Sequence, residues 1–160
     1  QSAFDTFKGI KRRMEVRGIA GGVTVLDDFG HHPTAIRETL RALRIKYPQQ
    51  KVWAVFEPRT NTTRRNVFQN ELASAFADAD SVVISQVARL ELLAPEERLN
   101  PEKLMLDLKS AGKNAAYLPD VDAIVAHVAK GAMGGEVVCV FSNGGFGGIH
   151  GKLLERLGRR

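Results

Sequence analysis

Two acids and two histidines stand close together in the stretch DDFGHHP, as Asp27, Asp28, His31 and His32. Such a group suits a metal site, an acid/base pair, a nucleotide contact or only a well-capped turn. Adjacent residues of a strand point to opposite faces, so neither the two acids nor the two histidines can share one ligand while extended. We therefore expect no metal site built from protein ligands alone. A carboxylate at a strand end can instead accept two ribose hydroxyls, and a histidine just before the Pro-initiated helix can bind an anion or a carboxylate, or merely cap that helix.

A second polar stretch, FEPRTNTTRR, follows an apolar run. Arg59 can form a two-pronged contact with a carboxylate or a phosphate. The hydroxyls of Thr60 and Thr62 and the amide of Asn61 can fix the orientation of a ligand. Alternatively, Asn61 or Thr62 caps the next helix, and the two arginines that end the stretch are solvated.

The glycines of SNGGFGGIHGK follow an apolar strand and precede a helix, the context in which backbone N–H groups hold an anion. The stretch nevertheless fails both standard phosphate motifs. A Walker loop would need glycine at Phe146 and Ser or Thr at Leu153, and a G-x-G-x-x-G pattern meets His150 at its last glycine. A tight turn between strand and helix explains the glycines equally well.

Apolar runs alternate with helical patterns along the chain, and several runs are apolar throughout, as strands covered on both faces must be. This pattern predicts an α/β fold of three layers, Rossmann-like, with a mostly parallel sheet flanked by helices. RRMEVRG and GVTVLDDF add a small antiparallel element at the N-terminus. We expect one helix over residues 64–79, with Val67, Leu72 and Phe76 on one side. The polar stretches lie at predicted carboxyl ends of strands, where sites form in such sheets.

The composition is that of a globular protein, with 44% hydrophobic and 26% charged residues among 160. No apolar run is long enough to span a bilayer and no signal peptide is visible, so we expect a cytoplasmic protein. Cys139 stands in an apolar run and predicts a buried, inert thiol. The net charge of +5 allows nucleic acid as a partner, but the basic residues are scattered and a small anionic ligand explains the charge as well.

These stretches, in this order, resemble the C-terminal domain of the Mur ligases, the ATP-dependent amide-forming enzymes of peptidoglycan synthesis. FKGIKRRMEV is similar to the start of that domain, DDFGHHPTAI to its aspartate-containing strand end, and FEPRTNTTRR to its substrate-side loop. FEPRTNTTRR and SNGGFGGIHGKLL are most similar to the murein peptide ligase branch. The resemblance covers essentially the whole chain.

The resemblance implies specific ligand contacts. Arg13 takes the place of an arginine that contacts ATP phosphate, and Asp28 that of an aspartate that holds the ATP ribose. Phe29 and His31 fall where side chains approach the nucleotide or the incoming amine, and Arg59 falls where a substrate carboxylate is gripped. The implied substrate contacts also include Thr60, Asn61, Thr62, Asn143, Gly144 and Gly145. The resemblance thus makes Asp28 and His31 the working members of DDFGHHP and leaves Asp27 and His32 as structural neighbours. It assigns no catalytic residue and no metal ligand to this chain.

Mur ligases also carry an N-terminal domain for the UDP-sugar and a central domain whose Gly-Lys-Thr or Gly-Lys-Ser loop binds ATP. Neither fits within residues 1–160, so the resemblance implies that the chain is one C-terminal domain whose partners include those two domains. ATP and Mg²⁺ would be held mainly by the central domain.

The resemblance further implies the reaction of the whole enzyme. ATP phosphorylates the carboxyl group of UDP-N-acetylmuramate, and the amine of L-alanyl-γ-D-glutamyl-meso-diaminopimelate attacks the acyl phosphate, a step of peptidoglycan recycling. The isolated chain is expected to be inactive. Two other interpretations stay open: a non-catalytic nucleotide-binding α/β regulatory module, and a nucleic-acid-binding domain.

Overall fold

The computed structural model describes residues 12–160, and within them six strands form one sheet. They are β1 (Glu15–Ala20), β2 (Val23–Asp28), β3 (Val52–Phe56), β4 (Ser81–Ser85), β5 (Asn114–Leu118) and β6 (Val137–Phe141). Their order across the sheet is β1-β2-β6-β3-β4-β5. β1 runs antiparallel to β2, and the other neighbouring pairs are parallel. The predicted mostly parallel sheet with an antiparallel N-terminal element is confirmed. The first half of the stretch FKGIKRRMEV, residues 7–11, lies outside the described residues.

Helices cover both faces of the sheet. They are α1 (Pro33–Lys46), α2 (Gln69–Ala75), α3 (Pro101–Ser110), α4 (Val121–Gly131) and α5 (Ile149–Gly158). α1, α2 and α3 pack on one face, and α4 and α5 pack on the other, which gives the three predicted layers. None of the helices within residues 12–160 is long and apolar enough to cross a bilayer.

The strands of the middle of the sheet are apolar because both of their faces are covered. Every residue of β3, β4 and β6 is buried. Alternate residues belong to different cores: Leu26 packs with α1, α2 and α3, whereas Val25 packs with α4 and α5. The same alternation continues to the end of β2, so Asp27 faces the α5 side and Asp28 faces the α1 side.

β1 and β2 are joined by a turn at Gly21 and Gly22, with φ angles of 57° and 77°. A two-residue hairpin of this kind needs positive φ at both central positions, which glycine adopts without a steric penalty. The turn sets the register from Ala20 opposite Val23 to Gly18 opposite Val25, and a bulge between Val16 and Gly18 then shifts it by one residue. Glu15 thereby lies opposite Asp27, so the start of β1 is brought to the carboxyl end of β2.

The expectation of one helix over residues 64–79 is wrong at both ends, since the helix begins at Gln69 and ends at Ala75. Arg65 forms an isolated antiparallel bridge with Arg98, which requires an extended backbone there. The chain then makes a 3-10 turn at Asn66–Phe68, and α2 covers only Gln69–Ala75. Val67 consequently lies on the surface, 59% exposed, rather than on the buried side of a helix.

We expect Leu40→Ala to lower the free energy of unfolding by about 2–5 kcal/mol, since it leaves a cavity where the side chain is now fully buried. Ile45 lies on the same helix with 77% of its surface exposed and provides a matched control. Ile45→Ala should change the stability by less than about 0.5 kcal/mol. Urea unfolding of both variants measures the difference, and equal losses would contradict the described packing of α1.

Candidate functional site

The carboxyl ends of β2, β3, β4 and β6 lie at one edge of the sheet, because these strands are parallel. Within the described part of the chain, three clefts open along this edge. The predicted convergence of the polar stretches is thereby found in the structure. We call the openings the first, second and third clefts and define each by its lining residues.

The first cleft, of about 430 Å³, lies between the end of β2 and the start of α1. Its lining residues are Arg13, Asp28, Phe29, Gly30, His31, His32, Thr34, Ala35, Glu38 and Thr39. The structure therefore brings together the residues predicted to contact a nucleotide: Arg13, Asp28, Phe29 and His31. The chain turns sharply after Asp28, so residues from both sides of the turn reach one cleft.

Asp28 is buried and already holds three donors of its own chain. Its Oδ2 accepts hydrogen bonds from the Met14 N–H at 3.0 Å and from the Thr39 hydroxyl at 3.3 Å. Its Oδ1 accepts from the Gly30 N–H at 2.8 Å. A carboxylate offers about four lone-pair positions, so Asp28 keeps capacity for about one more donor. Its first role is to fix the walls of the cleft.

Phe29 and His31 form the aromatic part of the first cleft. Phe29 is 45% exposed, and its ring meets the His31 ring edge-on with centroids 5.7 Å apart. His32, by contrast, caps α1: its Nδ1 accepts from the Thr34 N–H at 3.3 Å, and its ring packs on Phe68. The expected division of the two histidines, with His32 in a structural role, agrees with these contacts.

The second cleft, also of about 430 Å³, lies over the ends of β3 and β4. Its lining residues are Glu57, Pro58, Arg59, Arg64, Ser85, Gln86, Ala88 and Arg89. Three arginines thus surround one glutamate. Arg59 was predicted, but Arg64 and Arg89 were not. Arg64 is not simply solvated, since its Nη1 donates to the carbonyls of Ala88 and Arg89 at 3.3 and 3.4 Å.

Thr60, Asn61 and Thr62 do not line the second cleft. Thr60 and Thr63 bind each other reciprocally, each backbone N–H donating to the other hydroxyl at 3.0 Å. The Asn61 amide oxygen accepts from Arg65 Nε at 3.2 Å, and Thr62 is exposed. The polar stretch after Pro58 therefore builds a compact turn that holds Arg59 in front of it.

The loop after β6 separates the second cleft from the third. The Ser142 hydroxyl donates to the Glu57 carboxylate at 2.6 Å and accepts from the Gly144 N–H at 3.0 Å. The Arg59 guanidinium lies against Gly144 in the space that a Cβ would occupy, so a side chain at this position would displace the end of Arg59. Asn143 Oδ1 is buried without a hydrogen-bond partner in residues 12–160, and Gly145 is exposed.

The third cleft, of about 260 Å³, lies on the α5 side of β2. Its lining residues are Arg12, Arg17, Asp27, Gly144, Gly145, Gly148, His150 and Gly151. It is built around Asp27, which is 1% exposed. Asp27 Oδ2 accepts from Arg12 Nε at 3.1 Å and lies 3.6 Å from Arg17 Nη1. Asp27 Oδ1 lies 3.2 Å from His150 Nε2, but the two atoms are not aligned for a hydrogen bond. Asp27 is thus a structural partner of two arginines. It lies on the face of the sheet away from Asp28, as strand geometry predicts.

Cys139 is fully buried below this edge of the sheet. Burial raises the pKa of its thiol well above the ordinary value, and the carboxylates of Asp28 and Asp27 act in the same direction. The predicted inert thiol is confirmed in its location. Among residues 12–160, His, Cys, Asp and Glu side chains do not gather in groups of three that could hold a metal ion.

Burial lowers the pKa of His150, and Arg17 and Arg12 lower it further, while Asp27 opposes them. The unfolded chain keeps the ordinary value of about 6.5 and so binds more protons than the folded chain below that pH. The contribution of His150 to the unfolding free energy is therefore fully present above about pH 6.5 and is lost as the pH falls towards the pKa of His150 in the folded chain. We expect His150→Gln to flatten the dependence of the unfolding free energy on pH as the pH falls below about 6.5. Parallel profiles for the two proteins would contradict this assignment.

Comparison with known proteins yields a consistent group of relatives. The family model described as "Mur ligase, glutamate ligase domain" matches residues 12–144. The UDP-N-acetylmuramate--L-alanyl-gamma-D-glutamyl-meso-2,6-diaminoheptandioate ligase of Escherichia coli (strain K12) is 40% identical over 160 residues, which are 99% of this chain and 33% of that protein. The chain therefore spans about a third of the length of this relative.

Two solved structures are also similar. A murein peptide ligase from Psychrobacter arcticus 273-4 has a TM-score of 0.81 and 34% identity, over 97% of this chain and 32% of that one. A domain assigned to a UDP-N-acetylmuramate:L-alanyl-gamma-D-glutamyl-meso-diaminopimelate ligase of Haemophilus ducreyi 35000HP has a TM-score of 0.71 and 39% identity. That alignment covers 91% of this chain and 99% of the solved domain, so a structure of matching extent has been determined by itself.

Proposed function

The chain belongs to the Mur ligase family as a C-terminal domain, and from this premise we propose that it serves an ATP-dependent ligase of peptidoglycan recycling. The proposed reaction joins L-alanyl-γ-D-glutamyl-meso-diaminopimelate to UDP-N-acetylmuramate through an amide bond. The similarity to the E. coli ligase named for these substrates supports this choice. Because the reaction consumes ATP, the proposal places the enzyme in the cytoplasm, with its own N-terminal and central domains as partners.

The observation that carries the proposal is the charge pattern of the second cleft. The tripeptide has three free carboxylates and, besides the reacting amine of its alanine, one further ammonium group. Three arginines, Arg59, Arg64 and Arg89, match the carboxylates, and Glu57 matches the ammonium group. A ligand with only one sign of charge would leave part of this lining without a counterpart.

The first cleft suits one end of a nucleotide. Phe29 and His31 offer aromatic surface, Arg13 a cation for phosphate, and Asp28 an acceptor for a ribose hydroxyl. ATP supplies the phosphoryl group that activates the muramate carboxylate. Residues 12–160 offer no group of three metal ligands, so in the proposal Mg²⁺ is held mainly by the central domain.

The contribution of this domain is positional. The second cleft would hold the tripeptide by its carboxylates so that the alanine amine faces the activated carboxyl carbon at about 3–3.5 Å. Thr60, Asn61, Thr62, Asn143 and Gly145 would act mainly by fixing the loops that carry the charged residues. No side chain of this chain is assigned a proton transfer.

The isolated chain of 160 residues should show no ligase turnover with ATP, UDP-N-acetylmuramate and the tripeptide. Its ATP affinity, measured by isothermal calorimetry, should be weaker than micromolar, because the cleft holds only part of the nucleotide. Turnover by the chain alone would contradict the proposal. Micromolar ATP binding without turnover would favour the regulatory nucleotide-binding module instead.

In the full-length ligase that carries this domain, Arg59→Ala should raise the tripeptide KM at least about tenfold and the ATP KM less than about threefold, since a charged hydrogen bond is lost in one cleft only. Arg13→Ala is the matched control and should raise the ATP KM more than the tripeptide KM. Steady-state kinetics with each substrate varied in turn measure both effects. Equal changes in the two KM values for Arg59→Ala would refute the assignment of the second cleft to the peptide.

A further inference from the structure

Arg12 makes an unusual set of contacts for a residue that lines neither the first nor the second cleft. Its Nε donates to Asp27 Oδ2 at 3.1 Å, and its Nη2 donates to the carbonyls of Ser142 and Gly144 at 2.8 and 2.7 Å. One guanidinium thus ties the end of β2 to the loop after β6, although Ser142 lies 130 residues after Arg12 in the sequence. The side chain is only 31% exposed.

The loop that Arg12 holds does not line the second cleft, but it contacts two residues that do. Ser142 donates to the carboxylate of Glu57, and Gly144 lies in contact with the guanidinium of Arg59. Each of these two loop residues therefore has Arg12 on one side and a charged residue of the second cleft on the other. A shift of the Gly144 backbone would move the surface on which Arg59 rests.

Arg12 also contacts the first cleft, but there its side chain makes no hydrogen bond. Its guanidinium carbon lies 5.2 Å from the centroid of the Phe29 ring, and its backbone carbonyl accepts from the Phe29 N–H. The backbone bond does not depend on the side chain, and a cation–π contact at an exposed ring is a modest interaction. Loss of the Arg12 side chain should therefore disturb the second cleft more than the first.

We propose that Arg12 is a positioning residue that sets the geometry of Glu57 and Arg59 through Ser142 and Gly144, without touching a substrate. The proposal rests on the proposed function for the identity of the peptide, but not for the contacts themselves. It requires arginine: the planar guanidinium reaches three acceptors in fixed directions, whereas one lysine ammonium cannot keep the same arrangement.

The principal test compares Arg12→Lys with Arg17→Gln in the full-length ligase. Arg12→Lys keeps a positive charge beside Asp27 but cannot hold both loop carbonyls, so we expect the tripeptide KM to rise about tenfold. The ATP KM and kcat should change less than about threefold. Arg17, which approaches Asp27 only at 3.6 Å, is the matched control, and Arg17→Gln should leave both KM values close to wild type. Equal changes in the two KM values, or an unchanged tripeptide KM, for Arg12→Lys would overturn the proposal.

A second variant keeps the proposal testable if Arg12→Lys does not fold. Gly144→Ala leaves Arg12 and Asp27 intact but places a methyl group where Arg59 now packs. It should give the same selective rise in the tripeptide KM, and a wild-type value would count against the role of the loop. The outcome for Arg59→Ala separates the two proposals. If Arg59→Ala shows the peptide-selective effect and both Arg12→Lys and Gly144→Ala do not, only the role of Arg12 is wrong.

Discussion

Two buried carboxylates that point to opposite faces of the sheet organise the contacts at the edge where the clefts open. Asp27 and Asp28 are adjacent at the end of β2, and strand geometry sends one to the α5 side and the other to the α1 side. A buried carboxylate is costly unless donors surround it, so each acid dictates what must lie around it. Asp28 collects backbone and hydroxyl donors and shapes the first cleft, whereas Asp27 collects arginines and shapes the third.

The start of β1 is held between these two acids. The Met14 N–H donates to Asp28, and the side chain of Arg12, two residues earlier, donates to Asp27. The chain passes this point with positive φ at Arg12 and at Met14, a conformation that non-glycine residues seldom adopt. Strain of this kind persists only where surrounding contacts impose it, and here the two carboxylates supply those contacts. Arg13, between them, is thereby directed into the first cleft.

The sequence allows the architecture and the location of the site to be predicted, but not the contacts that join the clefts. Alternating apolar runs are sufficient to predict the parallel sheet, and the polar strand ends predict where the site lies. The opposite directions of Asp27 and Asp28 follow from strand geometry alone. The roles of Arg12 and Arg89 could not be predicted, because the direction of each side chain depends on a left-handed backbone conformation in a loop. The hydrogen-bond partners of Arg12 are also distant in sequence. Arg89 had one available signal, its place just after the end of β4.

The clefts are therefore not independent openings. The loop from Ser142 to Gly145 lines the third cleft and contacts Glu57 and Arg59 of the second, and Arg12 connects that loop to Asp27 and to Phe29. Hydrogen bonds to two backbone carbonyls and one buried acid, with a cation–π contact to Phe29, thus link the proposed peptide residues to the proposed nucleotide residues within the domain. In the proposed ligase the amine is held by this domain, whereas the activated carboxyl is held mainly by its partners. We therefore expect the distance between the amine and the activated carboxyl to be adjusted by rigid-body motion of this domain against its partners.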